Sequence, residues 1–121
     1  VLRLNPEDEK TIYNLGIAYS KLNMHDNAIE AYEKVIKLNP SDTDTYFNLG
    51  VSYGKKGMYK ESIESYKNVL NINPKATDAL FNLGISYFNL NEKDSALKEY
   101  EKLKKLDPET AVRLLDIINN K

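Results

Sequence analysis

Three asparagines recur at a constant spacing of 34 residues, at Asn14, Asn48 and Asn82. A side-chain amide offers a hydrogen-bond donor and an acceptor together, so a row of amides can hold the backbone of an extended peptide whatever its sequence. The alternative is that each amide ties one repeated unit to its neighbour. In either case the chemistry is hydrogen bonding, which suits a binding site and not a reaction.

Apolar residues accompany the asparagines at the same spacing. An aromatic residue recurs at Tyr13, Phe47 and Phe81, and a β-branched residue recurs one helical turn later at Ile17, Val51 and Ile85. Side chains four residues apart share one helix face, so these pairs would form an apolar strip suited to a peptide with apolar side chains. The alternative is that they pack between adjacent helices.

The sequence offers no set of residues for catalysis. The single histidine, His25, stands where the other units have Tyr59 and Lys93, and the chain has no cysteine. There is no Gly-rich phosphate loop, no paired histidine for a metal and no Ser/His/Asp set at helical spacing. We therefore expect a protein that is not an enzyme and that has no metal or cofactor.

Charge and hydropathy argue against two classes of partner. Charged residues make up 29% of the chain, but their formal net charge is only −1, so no overall field attracts nucleic acid or anionic lipid. No apolar run approaches the roughly 20 residues of a membrane-spanning helix, and no segment has the pattern of a signal peptide. We expect a soluble domain; its compartment stays open, with the cytoplasm favoured.

The elements that position these residues follow from a 34-residue repeat. Prolines mark its period at Pro6, Pro40, Pro74 and Pro108. Within each unit two runs of apolar residues follow a helical period, which predicts a pair of helices. The runs are separated by Asn23, Gly57 and Asn91, residue types that tolerate the left-handed conformation at a helix end. Proline removes a backbone donor and separates one unit from the next.

The pattern of Leu-Gly, then Tyr, then a small residue, an aromatic residue and Pro resembles the tetratricopeptide repeat. The positions typical of this family are filled in three copies at the same spacing. In the first copy they are Gly16, Tyr19, Ala28, Tyr32 and Pro40. The resemblance implies an all-α fold, an α-solenoid that forms a right-handed superhelix from three helix-turn-helix units and a capping helix. Stacking of neighbouring units would supply its stability.

The resemblance also implies where a partner binds, because in this family the first helix of each pair lines the concave groove. The residues that it places in the groove are Tyr13, Asn14, Ile17, Asp44, Phe47, Asn48, Val51, Asp78, Phe81, Asn82, Ile85 and Phe88. A protein or peptide partner is expected there. Acidic Asp44 and Asp78 favour basic side chains in that partner, although an acid near a helix start is also a favourable dipole partner.

One subclass of the family, the carboxylate clamp that holds the carboxy-terminal tail of chaperones, does not fit. It requires basic or amide residues where this chain has Tyr13, Ile17 and Asp78, and an arginine at Asn82. Only Asn48 matches the clamp, and Asp44 and Asp78 would repel a terminal carboxylate. The sequence therefore predicts a different class of peptide.

The expected organisation is one domain over residues 1–121. Residues 1–8 resemble the end of a preceding repeat, residues 9–42, 43–76 and 77–108 are the three repeats, and residues 109–121 form the capping helix. We expect a non-enzymatic scaffold that binds a peptide segment in its groove. The alternatives are a module that self-assembles through exposed array ends, and a designed or model repeat protein without a natural ligand.

Overall fold

The computed structural model of the chain describes residues 6–120, which form seven helices. They are α1 (Pro6–Lys21), α2 (His25–Leu38), α3 (Thr43–Lys55), α4 (Tyr59–Ile72), α5 (Thr77–Asn89), α6 (Lys93–Leu106) and α7 (Pro108–Asn119). Helices α1, α3 and α5 each pack against the helix that follows. Helices α2 and α4 also pack against the first helix of the next pair, and α7 contacts both α5 and α6. The predicted all-α repeat solenoid is confirmed. Of residues 1–8, assigned above to a preceding repeat, residues 6–8 lie in α1 and residues 1–5 lie outside the described residues, as does residue 121.

The turn inside each helix pair depends on one residue in the left-handed conformation. The backbone φ angle is 61° at Asn23, 75° at Gly57 and 64° at Asn91. Asparagine and glycine adopt positive φ at low cost, so these positions end the first helix and reverse the chain within a few residues. The three turns predicted at these residues are confirmed.

Aspartate side chains cap the amino-terminal ends of two of the helices. The carboxylate of Asp42 accepts a hydrogen bond from the backbone N–H of Thr45 at the start of α3. Asp107 accepts in the same way from Thr110 at the start of α7, where Pro108 is in the first turn. These caps satisfy N–H groups that have no partner within a helix. They set the direction in which α3 and α7 leave the preceding turns.

The core consists of three apolar clusters that are each shared between neighbouring helix pairs. The first joins Ala28 and Tyr32 of α2 to Leu49 of α3, and the second joins residues of α4 to Ala79 and Leu83 of α5. The third combines side chains of α5 and α6 with Ala111, Leu114 and Ile118 of α7. Since no cluster belongs to one helix pair alone, each pair depends on its neighbour for burial.

Helix α1 presents an apolar face that its equivalents bury. Leu15 is 47% exposed, whereas Leu49 and Leu83, at the same position in the next two repeats, are 7% and 2% exposed. Leu49 is covered by α2 and Leu83 by α4. Within the described residues no such preceding helix covers α1, so the sequence pattern marks Leu15 as apolar but its surroundings leave it accessible.

Two equivalent serines differ in whether their buried hydroxyl is satisfied. Ser86 of α5 shares a hydrogen bond of 3.2 Å with Ser62, which also donates to the carbonyl oxygen of Gly50. In the first repeat the position of Ser62 is occupied by Ala28, which has no hydroxyl. Within residues 6–120 the buried Oγ of Ser52 in α3 has no hydrogen-bond partner. A buried hydroxyl without a partner is a cost to the folded state.

Replacing Ser52 with Ala is therefore expected to raise the free energy of unfolding by about 1 kcal/mol, because it removes an unsatisfied hydroxyl. The matched change Ser86→Ala removes a hydrogen bond and is expected to lower the same quantity by about 0.5–1.5 kcal/mol. Urea unfolding followed by circular dichroism measures both. A loss of stability in Ser52→Ala similar to that in Ser86→Ala would show that the Ser52 hydroxyl does have a partner.

Candidate functional site

The predicted site residues lie along the first helices of the three pairs. Asn14, Asp44 and Asp78 are exposed, and the other nine are partly buried. Partial burial means that each of these nine side chains contacts the core with one part and reaches the surface with another. The arrangement forms a surface that runs from α1 across α3 to α5.

Each aromatic residue of the set has a contact partner outside its own helix. The Tyr13 ring lies 6.0 Å from the ring of Tyr32, and the Phe47 ring lies 5.6 Å from that of Tyr66 in an edge-on arrangement. The Phe81 ring is instead covered by the guanidinium carbon of Arg113 at 5.4 Å, a cation–π contact from α7. These contacts hold the aromatic side chains in place before any ligand arrives.

The β-branched residues of the same surface pack against the core clusters. Ile17 packs on the first cluster, Val51 on the second and Ile85 on the third. The alternative stated above, packing between helices, therefore accounts for part of each side chain. The part that stays exposed leaves an apolar strip available on the surface.

Two of the three asparagines are hydrogen-bonded to a tyrosine of the preceding repeat. Asn48 Nδ2 donates to Tyr13 Oη at 2.8 Å, and Asn82 Nδ2 donates to Tyr66 Oη at 3.3 Å. Each bond uses one of the two amide hydrogens. These amides thus connect neighbouring repeats, which is the alternative role that the sequence left open for them. Asn14, on α1, is exposed.

Both tyrosine hydroxyls in these pairs stay protonated at neutral pH. Burial and the nearby Asp44 carboxylate raise the pKa of Tyr13, while the hydrogen bond from Asn48 lowers it. Burial also raises the pKa of Tyr66, against the lowering effect of the hydrogen bond from Asn82. A protonated hydroxyl that accepts from an amide still has its own hydrogen to donate, for example to a peptide carbonyl.

A cleft of about 410 Å³ opens between α3 and α5, with α4 behind it. We call it the hydroxyl cleft, because Ser62, Tyr66 and Ser86 contribute to its lining. Of the predicted residues it includes Val51, Asn82 and Ile85; Gly54, Lys55, Tyr59 and Asn89 complete it. The cleft combines apolar walls with hydrogen-bonding groups, which is the usual composition of a site for a peptide side chain.

A second cleft of about 430 Å³ lies at the amino-terminal ends of the same two helices. It brings Asp44, Phe47 and Asp78 together with Lys75, Asn73 and Val69, and we call it the acidic cleft. Asp44 and Asp78 both lie in the first turn of their helices, where a carboxylate is favoured by the helix dipole. Asp78 also accepts a hydrogen bond from the N–H of Ala79 at 2.8 Å.

Sequence reasoning missed some of the residues that line these clefts. It placed none of Ser62, Tyr66, Ser86 and Lys75 in the groove. The hydroxyls of Ser62, Tyr66 and Ser86 lie on buried helix faces, so a pattern of apolar and polar positions does not reveal that they border a cleft. Lys75 is exposed and lies between α4 and α5. Phe88 lies apart from both clefts, in a depression that it shares with Ile118 of α7.

Three further features of the described residues bear on other kinds of site. Residues 6–120 contain no group of three or more side chains that could hold a metal ion. His25 opens α2, and its buried Nδ1 has no hydrogen-bond partner among those residues. None of α1 to α7 has both the length and the apolar character needed to cross a membrane.

Four matches to family profiles cover most of the chain. Profiles described as tetratricopeptide repeat match residues 10–42, 31–64 and 77–110, and one described as TPR repeat matches residues 53–91. Comparison with curated protein sequences gave no match. The matched segments together span residues 10–110, which includes both clefts.

Solved structures share this architecture. A crystal structure of MamA is 28% identical with a TM-score of 0.79; the match covers 85% of this chain but only 60% of that one. The first TPR domain of Spaghetti (RPAP3), bound to the HSP90 peptide SRMEEVD, is 22% identical to this chain, with a TM-score of 0.86. The match covers 98% of this chain and 95% of that one. The second domain of human RPAP3, in complex with the HSP70 peptide SGPTIEEVD, is 21% identical with a TM-score of 0.87 over 97% and 100% of the two chains. At 22% and 21% identity, the comparison with the two RPAP3 domains shows that the fold is shared and nothing more.

Proposed function

The chain belongs to the tetratricopeptide repeat family, a family of protein-interaction modules, and from this we propose that it binds a peptide segment of a partner protein between α3 and α5. The module is a scaffold and performs no reaction. The observation that carries the proposal is the pair of clefts on one surface, which together contain six of the predicted groove residues. The apolar strip and Tyr13 would extend the contact towards α1.

The charges of the groove favour a peptide with a basic residue. Asp44 and Asp78 are exposed and share the acidic cleft with one cation, Lys75. The peptides held by the two RPAP3 domains end in Glu-Glu-Val-Asp, and such an acidic tail would face two carboxylates here. We therefore propose an extended segment with apolar side chains for the hydroxyl cleft and a Lys or Arg for the acidic cleft.

The first test uses two libraries of extended heptapeptides, identical except that one has Lys and the other has Glu at a single fixed position. We expect the Lys library to bind the native chain more tightly. Reversing both charges with Asp44→Lys and Asp78→Lys is expected to weaken the selected Lys peptides by about tenfold or more, since it places like charges together. Fluorescence anisotropy of labelled peptides measures the affinity.

The matched control reverses two acids that also lie in the first turn of a helix but line neither the hydroxyl cleft nor the acidic cleft. Glu61 and Asp94 are exposed and lie in the first turn of α4 and α6. Glu61→Lys with Asp94→Lys changes the net charge by the same amount and is expected to alter peptide affinity less than about twofold. Equal weakening by both double variants would mean that overall charge causes the effect, and it would overturn the groove proposal. Peptide-induced amide NMR shifts that lie outside α3 and α5 would also overturn it.

Self-association is a second candidate function, favoured by apolar residues exposed at the two ends of the solenoid. Leu15 and Leu22 of α1 are 47% and 69% exposed, and Val112 of α7 is 55% exposed. Light scattering over a concentration series measures the mass in solution. A mass that doubles with concentration in the native chain, and stays monomeric in Leu15→Lys, would support this function; a constant monomeric mass would eliminate it.

A further inference from the structure

A third cleft lies on the opposite side of α5 from the groove. Its volume is about 460 Å³, and α4, α5 and α6 all contribute to it. Leu80 and Leu83 line it from α5, Leu70 lines it from α4, and Glu99 and Lys102 line it from α6. We call it the carboxylate cleft. Leu80 and Leu83 project from the face of the helix opposite to Asn82 and Ile85, so a ligand here would not touch the groove.

Comparison with the second repeat shows which residues are different at the carboxylate cleft. Counting back 34 residues, Leu80 corresponds to Tyr46, and Glu99 corresponds to Ser65. The buried hydroxyl of Ser65 is satisfied within its own helix by the carbonyl oxygen of Glu61 at 3.1 Å. The third repeat thus has a smaller side chain where the second has an aromatic ring, and a carboxylate where the second has a self-satisfied hydroxyl. The first change creates space, and the second adds an acceptor.

Glu99 is buried to an unusual degree for a carboxylate. Only 6% of the residue is exposed, and its Oε1 has no hydrogen-bond partner among residues 6–120. The nearest cation, Lys102 Nζ, is 3.6 Å from Oε1, and the Lys102 side chain is 63% exposed. Burial raises the pKa of Glu99, while Lys102 lowers it. Lys102 pairs with this carboxylate only at ion-pair distance, so a donor brought by a ligand would supply the closer hydrogen bond that Oε1 lacks among residues 6–120.

The charges around the cleft select a neutral ligand. Glu64 and Glu99 are balanced by Lys67 and Lys102, so neither a cation nor an anion gains from the local field. Leu70 is the main apolar wall because it is partly exposed, whereas Leu80 and Leu83 are each only 2% exposed and contribute little more than their edges; together they favour an apolar body. Among neutral side chains, indole combines a large apolar surface with one N–H donor and no acceptor, whereas phenol and amide groups bring lone pairs towards the carboxylate.

We propose that the carboxylate cleft binds the indole ring of a tryptophan from a partner protein, with the indole N–H donating to Glu99. Residues 1–121 contain no tryptophan, so the ring must come from outside this sequence. The volume of the cleft falls within the roughly 300–1,000 Å³ of small-ligand sites, which allows a single ring system and part of its backbone. This site is separate from the groove and does not depend on the function proposed above.

The absence of tryptophan makes the experiment direct, because indole fluorescence then reports only the ligand. N-acetyl-L-tryptophanamide is titrated with the full chain, and its 1-methyl derivative, which lacks the N–H, is the matched probe. The parent probe is expected to bind about tenfold more tightly than the methylated one, the difference being one hydrogen bond to a carboxylate. Equal affinity of the two probes, or no binding of either at millimolar concentration, would overturn the proposal.

Two variants taken from the second repeat locate the binding. Leu80→Tyr restores the larger ring and is expected to abolish binding of both probes; Glu99→Ser removes the acceptor and is expected to make their affinities equal. Retained discrimination between the probes in Glu99→Ser would contradict the assignment, and this comparison is sufficient if Leu80→Tyr does not fold. The Asp44→Lys and Asp78→Lys double variant is expected to bind both probes as the native chain does, which separates this site from the groove; a loss of binding there would place the probe in the groove instead.

Discussion

Replacing Leu114 with Ala is expected to lower the free energy of unfolding by about 2–5 kcal/mol, the range found for buried leucines. Leu114 is fully buried in the third cluster, where α7 closes against α5 and α6. The cost combines lost apolar burial with the cavity left behind. Urea unfolding measures it. Val112→Ala on the same helix is the control; since Val112 is 55% exposed, its effect is expected to stay within about 0.5 kcal/mol.

The contact between Leu114 and Gly84 makes this prediction sharper. A Cβ atom built on Gly84 would lie 2.7 Å from a methyl carbon of Leu114, which is too close. Gly84→Ala alone is expected to cost about 1–3 kcal/mol through overpacking. In the Leu114→Ala background the same change meets a cavity, so the two effects should differ from additivity by at least about 0.5 kcal/mol. Strict additivity would show that α7 does not pack on Gly84.

Replacing Gly50 with Ala is expected to cost about 1–3 kcal/mol, and replacing Gly54 in the same helix is expected to have the opposite sign. A Cβ atom on Gly50 would lie 2.7 Å from a ring carbon of Tyr66, a side chain that is 3% exposed and has little freedom to move. The nearest atom to a Cβ on Gly54 is Ser62 Oγ, at an ordinary 3.6 Å. Gly54→Ala should therefore gain roughly 0.5–1 kcal/mol, the usual advantage of Ala over Gly within a helix.

The two glycine variants are compared by urea unfolding under the same conditions. Because both replace a glycine of α3 with the same residue, the change in helix propensity is matched and only the surroundings differ. The expected result is a separation of the two unfolding midpoints, with Gly54→Ala above the native chain and Gly50→Ala below it. If both variants were more stable than the native chain, Tyr66 would have to move aside without cost, contrary to the packing described here.

The repeating pattern predicted the helices and the turns because both depend on local sequence. The positive φ angles at Asn23, Gly57 and Asn91 follow from residue type and position alone. The hydrogen bonds of the asparagine ladder did not follow in the same way. Asn48 bonds to Tyr13, but Asn82 bonds to Tyr66, since Phe47 in the position of Tyr13 has no hydroxyl. Which of two hydroxyls an amide reaches depends on distances between helices, and a repeat pattern does not contain them.

Departures from the repeat were harder to interpret than the repeat itself. The equivalence of positions suggests Tyr100 as the partner of Gly84, because Tyr32 contacts Gly16 and Tyr66 contacts Gly50. The structure places Leu114 there instead, since α7 packs across both helices of the last pair. Glu99 is a similar case. A glutamate in a charged helix is normally assigned to the surface, and only its register with Ser65 reveals that it is buried.

The sharing of each core cluster between neighbouring helix pairs also determines how the fold opens. A pair in the middle of the array is held from both sides, whereas among residues 6–120 the cluster of α1 and α2 is shared with α3 alone. Opening should therefore spread from α1 inwards, with amide hydrogen exchange fastest in α1 and α2. Exchange should be slowest in α5, because its fully buried residues belong to two clusters. The surface between α3 and α5 can then keep its shape while α1 and α2 are transiently open, so a bound segment could stay in place during such an excursion.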